Sequence, residues 1–336
     1  MKKLLVIFLA LALVFAFAAC GAEPAAEENT EEAAESTETT EAAIDYPTQN
    51  ISFVIPWNAG GATDLLARLL ADQLSDSLGV NVVCENKTGG GGAIGHNAGS
   101  SADPDGYTIT IATTEASISH LLGLADYSWE DFKPVCLLAT GPSALAVPAD
   151  SEFNTLDDLL KYAKENPGKL MMSAQASGGI WNLCANALLT ASGAEIDLVP
   201  YDGGAESITA LLGGHVDCVS AAFSEILPYV QSGDLKMLAV SADERCDAYP
   251  DCPTYKEQGY DISMGAWWGI MVPKDTPDEI VAVLYDNIAA AMDSDDLVGF
   301  LNERGYTKDV RDPAGFLDYL SEKDAFFTDL ISKIDL

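Results

Sequence analysis

What most constrains this chain is an alternation that sets in near Asn50: apolar runs of strand length followed by longer stretches with helical periodicity. Ile51–Ile55 is strand-like. Over Asp64–Leu78, the residues Leu65, Leu66, Leu69, Leu70 and Leu74 fall on one helical face. Val80–Glu85 is extended again, a glycine tract and a helix follow, and Tyr107–Thr113 supplies a third strand. This βαβαβ order predicts a parallel sheet with helical crossovers.

The alternation resumes after Val135–Leu138 and Ala144–Val147, two apolar segments flanking Gly141-Pro142, which reads as a crossing between domains. Leu156–Glu165, Ile180–Thr190, Ile208–Leu212 and Leu227–Gln231 are helical, and Leu170–Ser173, Leu198–Pro200, Val216–Ser220 and Lys236–Val240 are extended. Trp267–Val272 reads as a strand that returns, with Trp267 and Trp268 as hinge packing. Helices at Pro277–Met292, Asp295–Glu303 and Pro313–Ile334 close the chain, and Pro277 and Pro313 suit first-turn positions. The expected architecture is α/β in two hinged units: residues 46–142 plus 270–336, and residues 143–269. Ligands in such folds sit beyond the carboxyl ends of strands, where helix N-termini converge.

Charge removes several functions. The 52 acidic side chains against 17 basic ones leave a net charge of −35, and phosphate neutralisation needs clustered Lys and Arg, so no nucleic-acid partner is expected. Lys2, Lys3 and the apolar run Leu4–Ala19 have the two regions of a signal peptide, residues 1–19. Small residues Ala18 and Ala19 before Cys20 resemble the lipobox of bacterial lipoproteins, which implies lipidation at Cys20 and an extracytoplasmic, membrane-anchored product. The rest of residues 20–45 is rich in Ala, Glu and Thr, without Lys or Arg, and reads as a disordered acidic tether.

Six cysteines remain. Cys246 and Cys252, close together in a polar loop, form the best disulfide pair, whereas Cys84, Cys136 and Cys218 lie in apolar runs. His96, His120 and His215 are scattered and no C-x-x-C occurs, so no metal site is expected. No Gly-x-Ser-x-Gly elbow and no positioned nucleophile–base pair is present. Neither an enzyme nor a cofactor is expected.

Glycine marks the candidate site. Pro56-Trp57-Asn58-Ala59-Gly60-Gly61-Ala62-Thr63-Asp64 runs from strand to helix, where backbone N–H groups and the helix dipole can hold an anion without a cation. Asn86-Lys87-Thr88-Gly89-Gly90-Gly91-Gly92-Ala93-Ile94-Gly95 contains a literal G-x-G-x-x-G, but it follows the second strand of a chain read as exported, so a second amide nest is the better reading than a nucleotide site. Met172–Gly179 and Tyr201–Glu206 put small and polar residues at strand ends in the other half.

These residues resemble the substrate-binding proteins of tripartite tricarboxylate transporters, the TctC or Bug family. Ile55–Arg68 is similar to the family's first loop and helix, and Glu85–Gly92 to its second loop. Asp103-Pro104-Asp105-Gly106-Tyr107-Thr108, Asp131-Phe132-Lys133-Pro134-Val135, Tyr201-Asp202-Gly203-Gly204-Ala205, Gly213–Asp217 and Trp268-Gly269-Ile270 also fit. The resemblance implies a two-domain periplasmic-binding-protein fold of the Venus-flytrap, type II kind. It implies capture of a di- or tricarboxylate, acidic amino acid or aromatic acid for delivery to membrane permease subunits. By the same resemblance, the ligand meets Trp57, Asn58, Ala59, Gly60, Gly61, Ala62 and Asp64, then Thr88, Gly90, Gly92 and Thr113. The second domain contributes Ser173, Gln175, Ala176, Ser177, Gly178 and Tyr201. Asp202 departs from the family pattern and places a carboxylate beside the cleft, to meet an ammonium group or face water. A ligand sensor feeding a membrane kinase is the alternative reading, and an exported hydrolase or transferase a third.

Overall fold

A computed structural model describes residues 44–175, 178–201 and 203–334. The leader, Cys20, the tether, Ala176, Ser177 and Asp202 lie outside the described residues. β1 (Ile51–Ile55) is buried along nearly its whole length and pairs in parallel with both β2 (Val82–Asn86) and β3 (Thr108–Thr113). α1 (Ala62–Leu78) connects the first two strands and turns Leu66, Ala67, Leu70, Ala71 and Leu74 inward. Each leucine removed from water on that face contributes about 2 kcal/mol. The helix stops at Gly79, whose φ of 71° lets its N–H reach the Ser75 carbonyl. α2 (Ala93–Ser100) precedes β3, and a short α3 (Glu115–Ile118) follows it.

Next comes β4 (Phe132–Pro148), a single strand of 17 residues. The sequence suggested two segments broken at Gly141-Pro142. Instead the chain runs straight through and changes partners there. Up to Pro142, β4 pairs antiparallel with β9 (Gly265–Pro273); from Ser143 onward it lies between β7 (Cys218–Ala222) and β8 (Leu235–Val240). A proline, with no N–H to give, is tolerated at such a switch. β9 also pairs with β3, so two long strands cross side by side between two halves of a ten-stranded sheet. Their approach is close: a Cβ on Gly265 would stand 2.0 Å from the Gly141 carbonyl oxygen.

The second half repeats the β/α alternation. α4 (Leu156–Glu165) starts at a Thr155–Asp158 capping box. β5 (Met171–Gln175), α5 (Ile180–Ser192), β6 (Asp197–Tyr201), α6 (Gly204–Leu212) and α7 (Phe223–Ser232) complete it, with β5 parallel to β6 and β7. After β9 come α8 (Asp278–Ala291), α9 (Asp295–Glu303), β10 (Thr307–Arg311) and α10 (Pro313–Ile331). Pro313 sits in the first turn of α10, whereas Pro277 is the residue before α8 begins.

One core joins β1, β3 and α1 to Leu284, Ile288 and Leu297 of α8 and α9; another joins Leu145 and Val147 to α4 and α5. α10 serves both halves: Phe316 and Leu320 pack with Trp267, Phe132 and Leu137, and Phe327 belongs to the core of the second half. The pairing suggested for Cys246 and Cys252 is not formed, and both are free thiols. They lie in an apolar cluster with Val219 and Val240. Burial pushes the Cys252 thiol up to about 12 and Cys246 up to about 11, which suppresses the thiolate that disulfide formation needs.

Candidate ligand-binding cleft

At the end of β1 the chain turns through Trp57–Gly61, of which Asn58 to Gly61 are exposed. Gly60 takes a φ of 82°, and α1 starts at Gly61 with no side chain capping it. The first N–H groups of that helix therefore have no partner within it. Asp64, expected among the ligand contacts, braces this loop. Its carboxylate accepts from Gly60 N–H at 2.8 Å, Asn86 Nδ2 at 2.8 Å and Arg68 Nε at 2.9 Å. The buried Asp64 carboxyl is held down to about 2, hydrogen bonds from Arg68, Gly60 and Asn86 outweighing the cost of its desolvation. One amide of the expected nest is thus already engaged. Asn86 also donates to the Trp57 carbonyl at 2.9 Å, tying β2 to the first loop.

The second loop meets the first at Gly92. A Cβ there would touch Trp57 at 3.2 Å and His96 at 3.3 Å, and its φ of 92° excludes an ordinary side chain. His96 is fully buried. Its Nε2 accepts from Thr113 N–H at 3.2 Å, so the proton rests on Nδ1, which donates to the Gly92 carbonyl at 3.0 Å. Burial pushes this imidazole down to about 4. Thr113 is also the hub of a side-chain chain: Trp57 Nε1 donates to its Oγ1 at 3.2 Å, and that hydroxyl donates to Glu115 Oε2 at 2.6 Å. Trp57, Gly92, Thr113 and the two loops are therefore contiguous. Of the nearby cations, Arg68 is paired with Asp64 and Lys87 with Glu85.

In the second half, α5 and α6 also begin at glycines, Gly179 and Gly203, without a side-chain cap. By contrast α4, α9 and α10 start at Thr155, Ser294 and Asp312, each capping its helix. Gly178 lies against Leu122 and Leu124 from the opposite half. Gln175 folds over Gly179, and its buried Oε1 has no partner. Tyr201, at the end of β6, is half-buried. Ser173 turns away from the cleft: it is fully buried and donates to the Ser207 carbonyl at 2.9 Å. It is a strut of the second half, as an inward position on a parallel strand requires.

Sequence reasoning gave no site role to Asn86 and Glu115, whose only signal was a polar residue at or just beyond a strand end, nor to His96, which lies inside α2. Trp267 and Trp268 pack as expected, the first edge-on to Phe316 and Tyr319, the second against Tyr306 with Nε1 donating to Thr63 at 2.8 Å. A cavity of about 890 Å³ lies elsewhere, among the 241–248 loop, β9, β10 and α10. Its lining includes Arg245, Lys308 and Lys323 and no helix N-terminus of the four described, so it is not the site that the glycines build. Among the described residues no His, Cys, Asp and Glu group could hold a metal, and no helix is long and apolar enough to cross a membrane.

The family model described as the tripartite tricarboxylate transporter family receptor (TctC) matches residues 66–336. The chain belongs to this receptor family. A Cupriavidus necator relative, the UPF0065 protein in the gbd 5' region, is 37% identical over 251 residues, covering 74% of this chain and 76% of its own. A TctC solute-binding protein from Polaromonas, solved without ligand, is 32% identical with a TM-score of 0.75, covering 86% of this chain and 100% of that one. The R. palustris protein Rpa4515, solved with adipate, is 29% identical with a TM-score of 0.78, covering 86% and 98%. The receptor fold is thus α/β with two halves of periplasmic-binding-protein type. The family match begins inside α1, so the first loop lies just ahead of it.

Proposed function

We propose that this chain is an extracytoplasmic receptor that captures a small organic acid between its two halves and presents it to membrane permease subunits. The observation that carries the ligand class is the uncapped glycine start of α1 facing the exposed glycine loop that precedes α2, with the nearby Arg68 and Lys87 paired to Asp64 and Glu85. Fixed N–H dipoles at such starts bind carboxylate oxygens, each charge-assisted bond contributing about 1.5–3 kcal/mol. The adipate bound by the R. palustris relative supports the same class. The groups assigned to the ligand lie along the backbone of Trp57 to Ala62 and of Thr88 to Gly92, apart from the N–H groups of Gly60, Gly61 and Gly92, which donate to Asp64, Asn58 and Gly89, with Trp57, Thr113, Gln175 and Tyr201 around them.

In this reading residues 46–142 and 270–336 form one domain and 143–269 the other, with β4 and β9 as the hinge strands. Acylation at Cys20 anchors the receptor and residues 20–45 tether it. An intact-mass measurement of membrane-extracted protein is expected to show the acyl adduct, and an unmodified Cys20 would remove the anchor. Titration calorimetry against a panel of carboxylic acids is expected to find a binder that is released unchanged. A well-folded sample that binds no acid in the panel would overturn the receptor function.

A further inference from the structure

Where β4 changes partners, the two halves are joined through an aromatic stack that reaches the first loop as well. Gly141, at the switch, is covered by Trp268 of β9 and by Tyr306, the residue just ahead of β10. A Cβ on Gly141 would stand 2.9 Å from the Tyr306 ring and 3.0 Å from that of Trp268. The two rings lie against each other with centroids 4.6 Å apart, and both belong to the core of the first half. Each ring carries its polar atom to a different element. Trp268 Nε1 donates to Thr63 Oγ1 at 2.8 Å, in the first turn of α1 and next to the first loop. The Tyr306 hydroxyl is hydrogen-bonded to Ser224 Oγ at 2.9 Å, in the first turn of α7 in the second half. Beside Ser224, Glu225 lays its carboxylate over Gly204, where a Cβ would stand 1.8 Å from Oε2. That contact ties α7 to the start of α6, the helix that follows Tyr201.

The backbone sets Tyr306 in this place. Gly305 has a φ of 62°, and a Cβ on it would stand 2.3 Å from the Phe223 ring, so the turn ahead of β10 is seated on the start of α7. Tyr306 is buried, and a buried phenol needs a partner for its hydroxyl, which Ser224 supplies. Next to the stack the halves are not closely packed. The cavity of about 890 Å³ is lined by Gly141, Gly265 and Tyr306 together with the 241–248 loop of the second half. A change of angle between the halves has room there, and it acts on the Tyr306–Ser224 bond directly, because each half contributes one of its two side chains.

We infer that Tyr306 is a positioning residue for ligand capture, its hydroxyl holding the second half through Ser224 in the arrangement in which the first loop and Tyr201 meet one ligand. This rests on the receptor function proposed above and adds to it the residue that couples the halves. A contact changes ligand affinity only by as much as its strength differs between the arrangements. One hydrogen bond made in the binding arrangement and broken in the other is worth about three- to tenfold in affinity.

The test uses Tyr306→Phe and Ser224→Ala, which remove the bond and keep the aromatic stack, together with the double variant. Succinate, glutarate, adipate, citrate, glutamate and benzoate are titrated into each protein by calorimetry, with stopped-flow dissociation rates and thermal unfolding alongside. For any of these acids that the wild type binds, each single variant is expected to bind about three- to tenfold more weakly, chiefly through faster dissociation. The double variant is expected to be no weaker than either single one, because the two side chains share one bond. Unchanged or tighter affinity in either single variant, whatever the thermal midpoints do, would make the bond a strut common to every arrangement and overturn the inference. Losses that add in the double variant would overturn it too, and both results leave the acid receptor standing. A folded wild type that binds none of these acids would overturn the receptor function and this role with it.

Discussion

His96 shows how a single buried side chain sets the shape of the site. It links the Gly92 carbonyl to the Thr113 amide and so fixes the second loop against the end of β3. The imidazole does this only while neutral, because Nε2 must accept. Its folded value of about 4 lies below the ordinary 6.5 of an unfolded chain. Between those values the unfolded state binds the extra proton, so stability falls as pH falls from about 6.5 toward 4. The loss attributable to this residue is about 3 kcal/mol when the window has been crossed. Urea unfolding midpoints measured across this window are expected to drop with acidification, and His96→Gln to flatten that part of the profile. Equal slopes in the two proteins would place the acid sensitivity elsewhere. At this scale the sequence was partly legible. The glycines announced both loops, but Asp64, taken for a ligand contact, braces Gly60, and Ser173 faces the interior. Nothing in one sequence tells whether a polar side chain at a strand end points into a cleft or back into its own lobe.

At the level of elements, periodicity was enough wherever apolar residues repeat. The first three strands, α1 and the second β/α series lie within a few residues of their expected bounds, because each buries one face or both. It failed at β10, whose sequence Thr307-Lys308-Asp309-Val310-Arg311 has no apolar alternation and which pairs only with β4. It also failed at Gly141-Pro142, where turn residues serve a strand that changes partners. There glycine is needed for proximity: a Cβ on Gly265 would meet the Gly141 carbonyl oxygen, which is backbone and cannot swing aside. Gly265→Ala is expected to cost about 1–3 kcal/mol, as overpacking does. Gly299, inside α9 with open space around its Cβ position, supplies the control. Gly299→Ala is expected to stabilise by about 0.5–1 kcal/mol, since alanine is the better helix former. Chemical unfolding of both variants checks the contrast, and a Gly265→Ala protein as stable as the parent would mean that the crossing strands adjust freely.

For the molecule as a whole, the difficulty is a net charge of −35 on a chain proposed to bind an acid. Long-range attraction cannot bring such a ligand in, and repulsion from the protein's net negative charge opposes its approach. Two features limit the conflict. Screening at physiological ionic strength acts over about 8 Å, so acids on the outer faces contribute little inside the cleft. The binding groups proposed are peptide dipoles fixed by helix starts, which carry no net charge and lose little to salt. A site built on Lys or Arg would behave otherwise, its affinity falling steeply as salt rises. The dissociation constant for a bound acid is therefore expected to change by less than about threefold between low and high salt, while the association rate rises modestly as repulsion is screened. Stopped-flow measurements over a salt series separate the two. An affinity that weakens by orders of magnitude with added salt would show that the acid is held by fixed positive charge and not by the amides of the glycine loops.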